Sequence, residues 1–444
     1  MNEKPSSFTF VGYEDDVQQG SVTFSYELLI NNERYCFNER LGFRSPSLYD
    51  KNSCRSVLES LFLLLGISYW KLYCPRKIVI RPFSLSLEQA DFWNTVYTKG
   101  LGEFYYQNKI DFRGLVQFPY SNQSRSTRES TRTSDRSLVL MGGGKDSIVT
   151  AELLKKQKKE FSLFTLNPVP LQQRIAATVD ANLVEFRRTL DPQLFHLNKT
   201  GSYYNGHVPI TAIYSFMGLL ASMLYGYGFV VASNERSANY GNVSYLGQEI
   251  NHQWSKSFEF EELLRDYIRR YITSDVTYFS LLRPIHEVAI VKLFSEYDRY
   301  FSLFSSCNRN FTISPSSDST LWCGQCPKCA FVFLLLSAFL PKETVQKIFK
   351  KNLFGDASLV GTYKELLGLE GFKPFECVGT PEESLWAFYQ VLKRGEYNSD
   401  IVVQTLSKAV SEHGEEIKTF ERTIFDISKK HAIPKEFTNS IPTL

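Results

Sequence analysis

Hydrophobic residues recur along this chain with two spacings, one typical of strands and one typical of helices. Near the start, FTFVGYEDD and VTFSYELLI read as strands around a glycine-containing turn. SVLESLFLLLGISYWKLY follows them with apolar residues at helical spacing. We therefore predict an α+β N-terminal domain over residues 1–120.

A polar stretch separates this region from the next. SNQSRSTRESTRTSDR, residues 121–136, contains no apolar residue and has nothing to bury in a core. We expect it to be a linker or a loop between two domains.

Strand and helix patterns then alternate from residue 137 to about residue 340. The strand patterns are SLVLM, FSLFTLNP, ANLVEFRRTL and GFVVAS. Such alternation predicts an α/β domain with a doubly wound parallel sheet, whose ligands bind beyond the carboxyl ends of the strands. Residues 341–444 show mostly helical patterns, so a helical C-terminal region is expected there.

A glycine-rich turn, GGGKDS, connects the first of these strands to a helix. Gly142, Gly143 and Gly144 expose backbone N–H groups at a helix N-terminus, where phosphate binds readily. Lys145, Asp146 and Ser147 add a cation, a possible Mg²⁺ ligand and a hydroxyl donor. Asp146 stands between the lysine and the serine, so this is not the common triphosphatase loop. A tight turn with solvated side chains is the alternative reading.

Four of the eight cysteines have the spacing of metal ligands. Cys307 precedes the run CGQCPKC, which holds Cys323, Cys326 and Cys329. Four thiolates satisfy a tetrahedral structural Zn²⁺, and we predict zinc here. An iron–sulfur cluster accepts the same ligands, and unrelated buried thiols are the remaining alternative.

Composition excludes some partners and compartments. A net charge of +3 is too small for the dense basic patch of a nucleic-acid-binding protein. The apolar stretch over residues 208–233 is interrupted by YGYG, which predicts a buried helix and strand instead of a membrane span. The start of the chain has no signal-peptide pattern, so a cytoplasmic protein is expected.

The glycine loop resembles the PP-loop of the ATP pyrophosphatase superfamily, Ser-Gly-Gly-x-Asp-Ser, with Gly142 where that superfamily usually has serine. Together with the cysteine pattern it resembles the 7-cyano-7-deazaguanine synthase branch. A longer series of stretches is similar to another member of that branch, the UDP-N-acetyl-α-D-muramoyl-L-alanyl-L-glutamate epimerase (MurL) family. The series consists of GGGKDS, YNGHVPITAI, VVASNERSA, NHQWSKSFEFE, FSSCNRNF, WCGQCPKCAFVF and KPFECVG.

This resemblance implies a reaction, its cofactors and its substrate. The reaction inverts the terminal L-glutamate of the UDP-muramyl dipeptide in peptidoglycan precursor synthesis, consuming ATP with Mg²⁺ through an acyl adenylate and releasing AMP and pyrophosphate. The residues from Gly142 to Ser147 would bind ATP, with Lys145 and Asp146 acting in catalysis. The resemblance also implies that the cysteine cluster holds a structural Zn²⁺.

Polar residues after the later strands are candidates for proton transfer and substrate binding. His207 and Glu235 are predicted as acid–base residues, and Arg236, His252 and Lys256 as substrate ligands. Cys377 is expected to be an inert buried thiol, a low-pKa proton carrier being its alternative. Two other functions remain open: an ATP-dependent ligase or amidating enzyme on a purine-like carboxylate, and a non-catalytic nucleotide-binding module.

Overall fold

The computed structural model describes residues 6–46, 54–122, 133–311, 321–442 and 444. The middle of the predicted polar linker lies outside these ranges. The strands are β1 Ser6–Asp16, β2 Ser21–Ile30, β3 Glu33–Phe43, β4 Lys77–Ile80, β5 Ser134–Leu140, β6 Phe161–Leu166, β7 Leu183–Thr189, β8 Tyr227–Ala232, β9 Val243–Tyr245, β10 Gln248–Ile250 and β11 Thr277–Ser280.

Helices connect these strands and form most of the C-terminal part. The helices before residue 300 are α1 Arg55–Leu65, α2 Ile67–Trp70, α3 Leu87–Gly100, α4 Gly102–Gln107, α5 Lys145–Lys156, α6 Pro170–Val179, α7 Pro192–Lys199, α8 Ile210–Tyr225, α9 Phe258–Tyr267 and α10 Glu287–Phe294. The later helices are α11 Pro327–Phe339, α12 Lys342–Phe349, α13 Val360–Leu366, α14 Pro381–Arg394, α15 Ile401–Glu412 and α16 Gly414–Glu421. The predicted helical C-terminal region is confirmed.

Within the described ranges, nine strands form one mixed sheet in the order β11-β8-β5-β6-β7-β3-β2-β1-β4. The five strands from β11 to β7 are parallel. β3 pairs antiparallel with β7, and β2 and β1 continue antiparallel from β3. The predicted parallel sheet is thus present, and the N-terminal strands extend it.

The sheet is buried on both faces because residues along its central strands alternate between two apolar clusters. In and just after β5, Leu138 and Leu140 belong to the cluster that contains α1 and α8, whereas Val139 and Met141 belong to the cluster that contains α5, α10 and α11. A strand covered on both sides needs a continuous apolar run, which is the pattern its sequence shows. Among the described residues, no helix has the length and apolarity needed to cross a bilayer.

The order in which the chain adds strands to the sheet reverses at β5. β6 and β7 follow on one side of it, and β8 and β11 lie on the other. In parallel sheets such a reversal opens a crevice beyond the carboxyl ends of the strands, where ligands bind. The glycine loop follows β5 and lies at this position.

Candidate active site

The glycine loop has a backbone conformation that requires glycine at its central position, Gly143. Gly143 has a φ of +97°, and its carbonyl accepts the amide of Ser305 at 3.1 Å. A Cβ on Gly143 would lie 3.0 Å from Leu171, whereas one on Gly142 would contact nothing within 4 Å. Within the described residues, the three glycine amides donate no hydrogen bond, so they are available to an anion.

Lys145 does not point into solvent as a lysine at a helix start usually does. Its ammonium group is 2.5 Å from Oδ1 of Asp146 and 2.7 Å from Oε1 of Glu287, and its side chain is 1 % exposed. Burial alone would lower the pKa of Lys145, but the two carboxylates overcome burial and raise it. Lys145 therefore stays charged, held between α5 and α10.

Three carboxylates meet beyond the ends of three neighbouring strands. Asp146 follows β5, Glu235 follows β8 and Glu287 follows β11, and their closest oxygens all lie within 4.8 Å of one another. Burial would raise the pKa of Glu287, but Lys145 and Lys328 lower it to about 2. The cluster can hold a divalent cation, because carboxylate oxygens are the ligands that Mg²⁺ prefers.

Glu235 differs from the other two carboxylates in its surroundings. Its side chain is 1 % exposed, and its Oε2 has no hydrogen-bond partner among the described residues. Burial, with Glu287 beside it, raises the pKa of Glu235 to about 7. A buried acceptor without a partner is costly unless a ligand satisfies it.

Ser147 is more enclosed than its place in the loop implies. Its hydroxyl donates to the carbonyl of Gly144 at 3.0 Å and lies 3.1 Å from Sδ of Met141. The side chain therefore braces the first turn of α5, a contact that the sequence did not indicate.

A second polar group combines residues from three distant parts of the chain. Glu103 on α4 accepts hydrogen bonds at one carboxylate oxygen from Nδ1 of His252, at 2.5 Å, and Nδ1 of His207, at 3.1 Å. Nε2 of His252 in turn lies 3.8 Å from Sγ of Cys377. We refer to Cys377, His252 and Glu103 as the thiol triad.

The surroundings of Cys377 do not match the inert thiol expected from the sequence. Burial would raise its pKa, but Lys256, the hydrogen bond from His252 and Lys328 together lower it to about 5. Burial would lower the pKa of His252, which its contacts with Cys377 and Glu103 raise to about 9. A thiolate beside an imidazolium is the state these contacts favour.

Lysine side chains join the thiol triad to the carboxylate cluster. Lys328 on α11 donates to the carbonyl of Cys377, and its ammonium is 3.5 Å from Oε1 of Glu287. Lys256, in the turn Trp254–Lys256, acts electrostatically on Cys377 and on Glu235. The two groups therefore belong to one site.

The other two predicted substrate ligands, Arg236 and His252, differ in whether protein groups already bind them. Arg236 follows Glu235 directly and is half-buried, and its guanidinium makes no hydrogen bond or ion pair within the described ranges. It remains available to an anionic ligand. His252 is already engaged in the thiol triad, which leaves it less free for substrate.

The four predicted metal-ligating cysteines lie together. The sulfur atoms of Cys307, Cys323, Cys326 and Cys329 are all within 4.8 Å of one another, and Cys329 is 3.7 Å from Cys323 and 3.5 Å from Cys326. Zn–S bonds of about 2.3 Å at tetrahedral angles place sulfurs roughly 3.8 Å apart. The cluster can therefore hold a metal ion.

Sequence reasoning missed three residues of the site: Glu103, Glu287 and Lys328. Each lies in a helix whose pattern is apolar or ordinarily amphipathic, and Lys328, although it stands inside the run CGQCPKC, was not singled out among its cysteines. For Glu287 alone a local signal exists, since it follows a strand and starts a helix, as Asp146 does.

A glycine loop with unpartnered backbone amides, a carboxylate cluster and a thiol–imidazole pair lie at one edge of a parallel sheet, an arrangement typical of an α/β enzyme. The family models for the MurL N-terminal domain and the MurL C-terminal domain match residues 1–281 and 303–421. The chain belongs to the MurL family.

Three relatives carry the name UDP-N-acetyl-α-D-muramoyl-L-alanyl-L-glutamate epimerase. The chain is 38% identical to the one from Xanthomonas oryzae pv. oryzae over 86% of its own length and 84% of that protein. It is 38% identical to the one from Micromonospora sp. over 91% of each chain. For Salinispora tropica the identity is 36% over 91% of this chain and 89% of the relative.

Proposed function

We propose that this protein inverts the terminal L-glutamate of UDP-N-acetylmuramoyl-L-alanyl-L-glutamate to D-glutamate, using ATP and releasing AMP and pyrophosphate. Similarity to the epimerases over nine-tenths of the chain supports the substrate. The observation that carries the mechanism is the chain of contacts from Cys377 through Lys328 and Glu287 to Lys145, the first residue after the glycine loop. One site thus offers groups for activation and groups for proton transfer.

Activation must come before proton transfer. An ionised α-carboxylate resists loss of the neighbouring proton, because a second negative charge would develop beside the first. Transfer of AMP to the carboxylate produces an acyl adenylate, whose carbonyl accepts the electron pair of the broken C–H bond. Reprotonation on the other face and hydrolysis then give the D-isomer and AMP.

The amides of Gly142–Gly144, with the PP-loop role that the resemblance implies, would bind the departing pyrophosphate. Such donors are fixed before the reaction and face the developing charge, which is where electrostatic catalysis is strongest. Lys145, paired with Glu287, contributes positive charge at the end of the loop. Ser147 stabilises the first turn of α5 through its hydrogen bond to the carbonyl of Gly144.

Asp146, Glu235 and Glu287 fit a Mg²⁺ ion. The fit rests on their clustered oxygens and on the unpartnered Oε2 of Glu235. When bound, Mg²⁺ would neutralise phosphate charge during nucleotidyl transfer. Glu235 therefore has a second role besides the acid–base role predicted from the sequence, and His207, bonded to Glu103, stays a candidate for proton transfer.

The four cysteines are proposed to hold a structural Zn²⁺, and their sulfur–sulfur separations support a tetrahedral ion. The ion would fix the N-terminus of α11, the helix that carries Lys328. Arg236 and Lys256 are proposed to bind the substrate's carboxylate or phosphate groups.

The test uses the purified protein with the UDP-muramyl dipeptide, ATP and Mg²⁺ in heavy water. We expect one AMP and one pyrophosphate for each inversion, deuterium at the glutamate α-carbon, and ¹⁸O passing from the α-carboxylate into AMP. Inversion without ATP would refute the adenylate route. Pyrophosphate release with a deazaguanine carboxylate but not with the dipeptide would favour the ligase.

A further inference from the structure

We infer that Cys377 is a catalytic acid–base residue that exchanges the glutamate α-proton on one face, with His252 and Glu103 as its positioning residues. This inference rests on the proposed function and names a group that performs its central step. Neither the resemblance nor the relatives' names assign a role to these residues.

The hydrogen bonds of the thiol triad fix which ring nitrogen of His252 faces the thiol. Glu103 receives Nδ1 of both His252 and His207 on one oxygen, so each Nδ1 carries a proton. Nε2 of His252 is then the atom left to face Sγ of Cys377, at 3.8 Å. The order carboxylate, imidazole, thiol matches that of activated cysteines, in which the third group orients the base.

The charges around the sulfur favour a thiolate. Lys256, Lys328 and His252 supply positive charge near it, and Glu376 supplies negative charge. Cys74, a buried thiol, donates to the carbonyl of Lys71 instead, and burial raises its pKa. Cys377 is therefore distinguished by its neighbours, not by its residue type.

The wall of the site beside Cys377 contains acceptors that await a ligand. Gln253, 2 % exposed, donates from Nε2 to the carbonyl of Val378 at 2.9 Å, while its Oε1 has no partner among the described residues. Glu235, whose ionised form is favoured by the charge of Lys256, likewise keeps an unpartnered oxygen. Unpartnered buried acceptors of this kind mark a place that a polar ligand completes.

The step balances without an added oxidant or reductant. The thiolate sulfur takes the α-proton, the C–H electron pair moves to the carbonyl of the acyl adenylate, and a carboxyl group or a water molecule delivers a proton on the opposite face. Water then cleaves the anhydride to carboxylate and AMP, and the thiol gives its proton to a water molecule, which restores the thiolate beside the His252 imidazolium.

The experiment separates activation from proton transfer. Cys377→Ser and Cys377→Ala are compared with wild type and with Cys36→Ser, which alters an exposed thiol on β3. Pyrophosphate release measures activation. Exchange of the α-proton with heavy water is followed separately from the L-glutamate and the D-glutamate forms of the substrate.

We expect both Cys377 variants to release pyrophosphate near the wild-type rate and to lose inversion by about 10²-fold or more. One isomer should still exchange its α-proton with retention, while the other should not exchange. Only the loss of one of two opposed proton-transfer groups produces that asymmetry. Glu103→Gln should move the acid limb of the exchange rate to higher pH, and Glu103→Asp should partly restore it.

Three results would overturn the inference. These are inversion at the wild-type rate in Cys377→Ala, equal losses of activation and inversion, and a glutamyl thioester trapped on Cys377, which would make it a nucleophile. If wild type releases no pyrophosphate and inverts nothing, the proposed function fails as well. Retained activation with unchanged inversion in the variants refutes only the role of Cys377.

Discussion

The ammonium of Lys145 and a carboxylate oxygen of Glu287 form a buried ion pair of 2.7 Å, in which each side chain is 1 % exposed. The pair connects the first residue of α5 to the first residue of α10. It thereby fixes the glycine loop relative to the strand end that supplies Glu287.

Removing Glu287 leaves the buried ammonium of Lys145 with Asp146 as its remaining carboxylate partner. Glu287→Ala should lower the free energy of unfolding by about 3–5 kcal/mol and reduce pyrophosphate release. Chemical denaturation measures the first effect. The matched control is Glu296→Ala, an exposed position just beyond α10, which should change stability little. Equal stabilities for the two variants would contradict the role given to the pair.

Adjacent glycines in the loop should respond differently to a side chain. Gly143→Ala places a Cβ at positive φ and against Leu171, so a cost of about 1–3 kcal/mol and loss of pyrophosphate release are expected. Gly142→Ser meets open space and should preserve both stability and activity. Thermal unfolding and pyrophosphate assays on the pair test this, and a tolerated Gly143→Ala would contradict the loop geometry.

The cysteine cluster should contain one zinc ion per chain. Cys326→Ser should lose the metal and destabilise the fold, because binding of a structural ion contributes directly to folding free energy. Elemental analysis and thermal unfolding are the measurements, with Cys36→Ser as the thiol control. Iron accompanied by sulfide would contradict the zinc assignment.

The α-proton exchange rate should depend on pH in a bell shape. It should rise as Cys377 ionises, near its pKa of about 5, and fall as His252 loses its proton, near a pKa of about 9. Below the first value the sulfur cannot accept a proton, and above the second the imidazolium no longer stabilises the thiolate. Cys377→Ser should lose the acid limb, since a serine hydroxyl does not ionise there. An unchanged acid limb in that variant would assign it to another group.

Local features were predictable from the sequence because they rest on neighbouring residues. The glycine loop after a strand and the cysteine spacing are of this kind, and the structure forms both the strand–loop–helix unit and the cluster of sulfurs. The helical C-terminal region followed from periodicity alone.

Features that join distant segments were not predictable. The pairing of β3 with β7 brings Arg40 opposite Thr189, and neither strand's pattern specifies that partner. Glu103 resembles an ordinary acidic residue in the first turn of a helix. The neighbours of Cys377 were hidden for the same reason, because KPFECVG shows no imidazole, and His252 reaches the thiol only through the fold.

The position of Glu103 on α4 has an evolutionary consequence. The carboxylate that orients both imidazoles comes from the N-terminal part of the chain, while the thiol comes from beyond residue 370. Recombination that replaced either end with an unrelated domain would therefore remove one member of the thiol triad. Lineages should inherit the two ends together, and a split gene should restore inversion only when both fragments are expressed and associate.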